Sequence, residues 1–202
     1  MADGARPLSL PLHMMDAGPR ERLLTVAEFD RMGEAGFFAE EGRHELWDGR
    51  VMMAPSPGTP HIDNASRLNE ALILAMHAAG LLGRFRVAAD GGLQIGDGTL
   101  LGPDLMVVKL PIDRSRRLTG ADVALVVEIA HTTLKTDLVA KREKYAAADV
   151  PEYWVLDVEG AALHVFRTPR GVEYVEHQAF ESGAQVSPLF APNMILNVAD
   201  FV

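Results

Sequence analysis

A single acidic residue interrupts one of the most apolar stretches of the chain. Glu128 stands in the segment 123–129, whose other residues are all apolar. Such a run is typical of a central strand that is covered on both faces. A lone carboxylate there costs several kcal/mol unless it is paired or protonated. Glu128 therefore requires a cation, a metal ion or a strand end that is open to water.

A second acid, Asp104, begins another apolar segment, 105–108. Two acids on adjacent core strands can meet at one edge of a sheet, and carboxylate oxygens in that arrangement suit Mg²⁺ or Mn²⁺. The alternative is structural: Asp104 caps a turn and Glu128 forms an ion pair. The spacing alone does not separate the two interpretations.

A lysine follows on a predicted helix over about 137–148. At about 100° per residue, Lys141 lies roughly 60° from Leu138 and 40° from Tyr145, on or beside the buried face. The helix begins soon after Glu128, so its first turns should lie near the end of that strand. Lys141 either reaches the acids or extends its amine along the surface to water.

Two further polar residues are candidates for the same site. Glu45 lies in a predicted β-hairpin over residues 44–54, whose tight turn is Asp48-Gly49. His61 lies in the first turn of a predicted helix over about 59–79. The unpaired amides there disfavour a positive charge, and one interpretation is a neutral imidazole that lines a cleft. For Glu45 the alternative is a hairpin glutamate that is exposed or caps a neighbour, and for His61 it is a surface or packing histidine. The remaining histidines have no metal-ligand spacing.

The elements that must position these residues predict a mixed α/β (α+β) domain. Their order is helix, hairpin, helix, several strands, helix and strands, without the regular alternation of a doubly wound fold. Neither nucleotide-binding glycine fingerprint is present. We expect a flexible N-terminal arm over residues 1–24 and a single domain over residues 25–202.

Composition narrows the class of protein further. The 202 residues are 48% hydrophobic and 23% charged, which excludes a disordered chain. The net charge of −9 disfavours a histone-like nucleic-acid binder, although a local basic groove is compatible with it. Without cysteine, a disulfide framework, a thiol nucleophile and a Cys-ligated zinc are excluded. We expect a cytoplasmic protein with no membrane segment and no signal-peptide core.

Several blocks, taken in order, resemble the PD-(D/E)XK nuclease superfamily and, within it, the bacterial Uma-type restriction endonuclease family. Pro103-Asp104, Glu128-Ile129 and a following lysine match the superfamily pattern. The blocks span roughly residues 25–170. They are 44–51 with 54–57, His61 at the start of a helix, 103–105, 127–129, and Asp137 with Lys141, Tyr145 and 150–154.

The resemblance implies a restriction-endonuclease-like core: a mixed central sheet flanked by helices and preceded by a β-hairpin. It also implies metal-assisted hydrolysis of DNA. Asp104, Glu128 and the Ile129 carbonyl would hold Mg²⁺ (or Mn²⁺), and Lys141 would orient a water or stabilise the developing charge. Glu45 matches a recurrent glutamate of the family and is a candidate third acid.

The chain departs from the family pattern at two places. Ala130 stands where the Glu-x-Lys lysine is expected, and Ala130-His131-Thr132-Thr133 replaces a Ser-Pro-Ser-Thr-like loop. These departures and the acidic net charge motivate an alternative, a catalytically inactive nuclease-fold module for binding or assembly. Analogy with the fold also predicts a homodimer, formed through apolar residues in Leu189-Phe190 or 194–196.

Overall fold

The computed structural model describes residues 20–39, 42–54 and 56–202. It confirms a mixed α/β architecture. The helices are α1 (Val26–Glu34), α2 (Thr59–Ala78), α3 (Leu134–Thr136) and α4 (Arg142–Ala147). The strands are β1 (Arg43–Trp47), β2 (Arg50–Ala54), β3 (Phe85–Ala89), β4 (Leu93–Gln94), β5 (Leu100–Leu101), β6 (Leu105–Lys109), β7 (Leu118–Thr119), β8 (Val123–Ala130), β9 (Glu152–Asp157), β10 (Ala162–Arg170), β11 (Glu173–Glu181), β12 (Gln185–Val186) and β13 (Leu196–Asn197).

The central sheet of the described chain is mixed and has the strand order β11-β10-β9-β8-β6-β3. β8 runs parallel to β9, and the other neighbours are antiparallel. Every residue of β8 is buried, as its apolar sequence predicts. Alternate residues of β8 face opposite layers: Leu125 and Val127 pack with α2, whereas Val126 packs with Tyr145 of α4.

A second, smaller sheet has the order β2-β1-β5-β4-β7. The predicted hairpin forms its edge, and Asp48 and Gly49 both have positive φ angles, of 49° and 81°. That pair of angles is typical of the type I′ turn that Asp-Gly favours. The hairpin does not stand alone, because β1 also pairs with β5 through Leu46 and Leu100.

The helical region around Lys141 differs from its prediction. It begins at Leu134, before the predicted start near Asp137, and Asp137–Lys141 is a π-helical segment between α3 and α4. Propensity and periodicity do not signal this wider turn. π-helical turns occur frequently at functional sites.

The predicted N-terminal arm lies mostly outside the described residues. In its described part, the Leu24 amide donates to the Gly49 carbonyl (2.9 Å), and Glu21 pairs with Arg50. The division into an arm and a domain stays a prediction. Among the described residues, no helix is long and apolar enough to cross a membrane.

The apolar residues expected to form a dimer surface near the C-terminus are mostly core residues. Met194 and Leu196 are buried, and Phe190 packs against the same core cluster. Leu189 and Ile195 stay exposed. The expected exposure is therefore wrong for Phe190, Met194 and Leu196, which pack on the core, and the homodimer itself stays a prediction.

Candidate active site

The candidate site lies where the two sheets meet. The chain leaves β5 of the small sheet and enters β6 of the large sheet through Gly102-Pro103-Asp104. Two side chains of β1 hold this connection: the Gly102 amide donates to Glu45 Oε1 (2.8 Å), and Arg43 Nη1 donates to the Gly102 carbonyl (2.8 Å). The two-residue periodicity of a strand places Arg43 and Glu45 on the same face of β1.

Asp104 is buried against β8. Its Oδ2 accepts a hydrogen bond from the Ile129 amide (2.7 Å), and its Oδ1 accepts one from Arg43 Nη1 (2.8 Å). His61 Nε2 lies 3.1 Å from Oδ2. The carboxylate therefore bonds across elements rather than capping a local turn, and it is brought to the end of the strand that carries Glu128.

Opposing effects act on the pKa of Asp104. Burial raises it, but the hydrogen bond and charge of His61, the Ile129 amide and the charge of Arg43 outweigh burial. The pKa therefore lies below its ordinary value, so Asp104 is a carboxylate at neutral pH. The structure thereby maintains one anionic carboxylate in the cleft.

Glu128 is only 2% exposed. Its Oε1 accepts a hydrogen bond from the Tyr145 hydroxyl (2.6 Å) and lies 3.0 Å from Lys141 Nζ. Burial raises the pKa of Glu128 well above its ordinary value, Lys141 lowers it, and neighbouring acids raise it further.

Lys141 is directed into the protein and not towards water. Its Nζ lies 3.0 Å from Glu128, 3.7 Å from Glu45 Oε1 and 3.8 Å from Asp137 Oδ1. Burial lowers the pKa of Lys141, but these three acids raise it above its ordinary value. Of the two predicted orientations, the structure shows the one that reaches the acids.

Glu45 is buried, so the interpretation as an exposed hairpin glutamate is wrong. Besides its bond to the Gly102 amide, its Oε2 accepts a hydrogen bond from Trp47 Nε1 (2.7 Å). The Glu45 carboxylate is enclosed by the Gly102 amide, the Trp47 indole and the Lys141 amine. Glu45 consequently contributes negative charge to the cleft.

His61 lies in the first turn of α2 and lines the cleft, as one of its two predicted placements requires. One ring nitrogen faces Asp104, and the other, Nδ1, is buried without a hydrogen-bond partner among the described residues. An imidazole held this way positions the Asp104 carboxylate through Nε2. Its Nδ1 stays available to accept or donate one further hydrogen bond.

The cleft has a volume of about 110 Å³. The altered loop after Glu128 lies on its wall. The lining side chains and backbone come from Arg43, Glu45, Ala54, Ser56, Pro57, Gly58, His61, Asp104, Glu128, Ile129, His131, Thr132, Thr133 and Lys141.

Sequence reasoning assigned no role to three residues of this network. Arg43 binds Asp104, and its place two residues before Glu45 on a strand is a signal that could have identified it. Asp137 is 2% exposed and lies one helical turn before Lys141; its Oδ2 accepts a hydrogen bond from the Thr133 hydroxyl (2.6 Å). Tyr145 lies one turn after Lys141 and binds Glu128.

The oxygen donors of the cleft fit a hard divalent cation. Three buried carboxylates, Glu128, Glu45 and Asp137, lie around Lys141, and a fourth, Asp104, lines the same cleft. The described residues contain no group of three or more His, Cys, Asp or Glu side chains arranged to hold a metal ion. Asp104 and Glu128 would therefore supply two ligands, with the others coming from backbone carbonyls, water or substrate.

Comparisons with known proteins agree with this fold. The model of the Uma2 family, described as "Putative restriction endonuclease", matches residues 26–199. The chain is similar to a crystal structure from Anabaena variabilis described as "a putative nuclease belonging to DUF820", with a TM-score of 0.67 and 19% identity over 88% of this chain and 97% of that one.

A weaker structural similarity links the chain to the type IIG restriction endonuclease BpuSI. The TM-score is 0.40 at 15% identity, over 59% of this chain and 14% of that one. A search of curated proteins found none that matches.

Proposed function

The chain belongs to the Uma2 restriction endonuclease family, and we propose that it is an Mg²⁺- or Mn²⁺-dependent endonuclease that hydrolyses phosphodiester bonds of DNA. One observation carries the proposal: Asp104, just before β6, and Glu128, on the adjacent β8, converge in a cleft in which Lys141 Nζ lies 3.0 Å from Glu128. The absence of cysteine supports a cytoplasmic setting.

Asp104, Glu128 and the Ile129 carbonyl would hold the metal ion. When bound, the metal would lower the pKa of a coordinated water and offset negative charge on the phosphate. Glu128 lines the cleft and would supply a carboxylate oxygen for this role. Burial raises the pKa of Glu128 even though Lys141 lies beside it, and a bound divalent cation would favour the ionised carboxylate.

Lys141 would act as a cation and hydrogen-bond donor, and not as a general base. The neighbouring acids raise its pKa, so its amine stays protonated at neutral pH. A protonated amine can orient the attacking water or stabilise the charge that develops on the phosphate. Glu45 and Asp137 would fix the amine from two other directions, at 3.7 and 3.8 Å.

His61 would act as a positioning residue for Asp104. Its Nε2 already faces the Asp104 carboxylate, so this nitrogen would not take part in bond cleavage. Its Nδ1 is buried and, among the described residues, has no hydrogen-bond partner. Arg43 would hold the other Asp104 oxygen and connect it to β1.

A second candidate function is a nuclease-fold module that binds a partner without cleaving DNA. The observation that favours it is the completeness of the ion-pair network: Asp104 is bound by Arg43, His61 and the Ile129 amide, and Glu128 by Lys141 and Tyr145. Such a module would keep the network for stability and would need no metal ion.

Cleavage of supercoiled plasmid, linear duplex and single-stranded DNA in Mg²⁺, Mn²⁺ or EDTA tests the proposal. We expect the natural chain to cleave DNA when Mg²⁺ or Mn²⁺ is present and not in EDTA. The cleavage rate should fall at least about 100-fold in Asp104→Asn and in Glu128→Gln. Glu173→Gln, at an exposed position on β11, is the matched control. Cleavage that persists unchanged in both site variants contradicts the proposal, whereas no cleavage by any protein favours the non-catalytic module.

A further inference from the structure

β2 is an edge strand with an exposed apolar surface on both of its faces. Val51, Met52 and Met53 follow one another along it and are 38%, 45% and 56% exposed. Edge strands are usually protected from pairing with other chains by charges, proline, bulges or short length. Three consecutive exposed apolar residues on an open edge are therefore unusual and indicate an interaction surface.

The other edges of the two larger sheets in the described chain carry such protection. β11 has charged residues at Glu173, Glu176 and Glu181, and β7 is only two residues long. The edge strand β3 exposes Arg86. β2 has one charge, Arg50, at the end next to the turn, and this arginine pairs with Glu21. Protection is thus missing at β2 alone among these edges.

We propose that β2 pairs antiparallel with β2 of a second copy of this chain, around a two-fold axis at Met52. In this register Met52 faces its own counterpart, Val51 faces the partner's Met53, and Arg50 faces the partner's Ala54. No like charges lie opposite each other, and the central pairs are all apolar, which is favourable across strands. A two-fold axis also closes the assembly at two chains.

The hydrogen-bonding pattern of the hairpin fits the same register. The two-residue turn makes Trp47 and Arg50 a hydrogen-bonded pair. Along an antiparallel ladder, hydrogen-bonded pairs alternate with non-hydrogen-bonded pairs, so Val51 and Met53 belong to the second kind. Val51 and Met53 therefore direct their backbone N–H and C=O groups away from β1. Pairing around Met52 brings the outward N–H and C=O groups of Val51 opposite those of the partner's Met53, so that all of these groups form hydrogen bonds between the two chains.

The size of this surface predicts a reversible dimer. A five-residue strand buries less than the roughly 800 Å² per partner of a standard stable interface, so the dimer should dissociate on dilution.

Ala54, at the end of β2, also lines the cleft. Pairing would place the Ala54 positions of the two chains about 14 Å apart along the joined strands. The inference does not rest on the proposed cleavage activity.

Cysteine cross-linking tests the register directly, because the natural chain has no cysteine. In the proposed dimer, Met52→Cys places two thiols opposite each other at the two-fold axis, close enough to form a disulfide. Two Met53→Cys residues would have backbones about 8 Å apart, which is too far for a disulfide. On oxidation we expect Met52→Cys to form a covalent dimer. Met53→Cys and Val175→Cys, the latter exposed on β11, should stay mostly uncross-linked.

Sedimentation of the unmodified chain gives the second readout. Its mass should rise from 21.9 kDa towards twice that value with concentration, and Met52→Lys should stay monomeric while keeping its circular dichroism spectrum. Val175→Lys should dimerise as the natural chain does. A chain that is monomeric at all concentrations, or equal cross-linking of all three cysteine variants, would overturn the proposal.

Discussion

Lys141 Nζ lies 3.0 Å from Glu128 Oε1, and this pair connects the π-helical segment to the central strand of the sheet. Both side chains are almost fully buried, so each would be costly without the other. The same lysine also lies near Glu45 of the small sheet. One cation thus neutralises charge from both sheets at the point where the cleft opens.

Removing this cation should be strongly destabilising. Lys141→Met keeps much of the apolar stem but leaves Glu128, Glu45 and Asp137 without their shared partner, and breaking a buried pair from one side costs about 3 to 5 kcal/mol. Urea unfolding measures the change. Combining Lys141→Met with Glu128→Gln should restore part of the loss, whereas strictly additive effects of the two substitutions contradict the coupling.

The stability contribution of Glu128 should depend on pH. Burial raises its pKa above the ordinary value of 4.5, so the folded protein holds this proton more tightly than the unfolded chain. Protonated Glu128 contributes its full stabilisation below about pH 4.5. This contribution to the free energy of unfolding is lost as the pH rises through the pKa of Glu128 in the folded protein, at most by about 1.4 kcal/mol per pH unit.

Glu128→Gln isolates this effect when unfolding is measured in EDTA. Relative to the variant, the natural chain should lose stability as pH rises from 4.5 towards 8. The substituted side chain does not ionise, and its amide oxygen can still accept from Tyr145 and Lys141. A difference in the free energy of unfolding that does not change with pH contradicts the assignment of a raised pKa.

His61 should control the ionisation of Asp104. After burial, which raises the pKa of Asp104, the bond to His61 is the largest effect, and it lowers the pKa. His61→Ala should raise that pKa, so the acid limb of Mn²⁺ binding or cleavage should move to higher pH. His61→Gln, which can donate from a similar position, should move it less. Identical acid limbs in all three proteins would exclude this positioning role.

Arg43 should contribute more to stability than a typical arginine. Its hydrogen bonds to Asp104 and to the Gly102 carbonyl connect the two sheets, and bonds to charged groups contribute about 1.5 to 3 kcal/mol. Arg43→Ala should lower the free energy of unfolding by about that amount. The control is Arg50→Ala, whose exposed pair with Glu21 should be worth at most about 1 kcal/mol. Equal losses in the two variants contradict the prediction.

The sequence predicts the acids of the site better than their partners. Glu128 is identifiable because burial of a charge within an apolar strand is costly, and Asp104 because it begins a second such strand. The hairpin follows from the Asp48-Gly49 turn. These inferences use local periodicity and turn chemistry, which a single sequence contains.

The remaining features depend on tertiary contacts. Arg43 acquires its role when β5 pairs with β1 and brings Gly102 beside it. The π-helical turn that contains Lys141 has no propensity signal, and Asp137 becomes buried because the helix starts earlier than its periodicity indicates. Over the short irregular segment 189–196, sequence periodicity does not reveal which apolar residues face the core.

The most direct test of the account is a calorimetric titration with Mn²⁺, in the presence of a short DNA duplex and at a pH that keeps Asp104 ionised. The duplex is included because substrate oxygens can complete the metal shell. The account predicts binding by the natural chain that disappears in Glu128→Gln and in Asp104→Asn, while both variants stay folded. Equal binding by all three proteins, or none by the natural chain with DNA present, would contradict the claim that these two acids hold the metal.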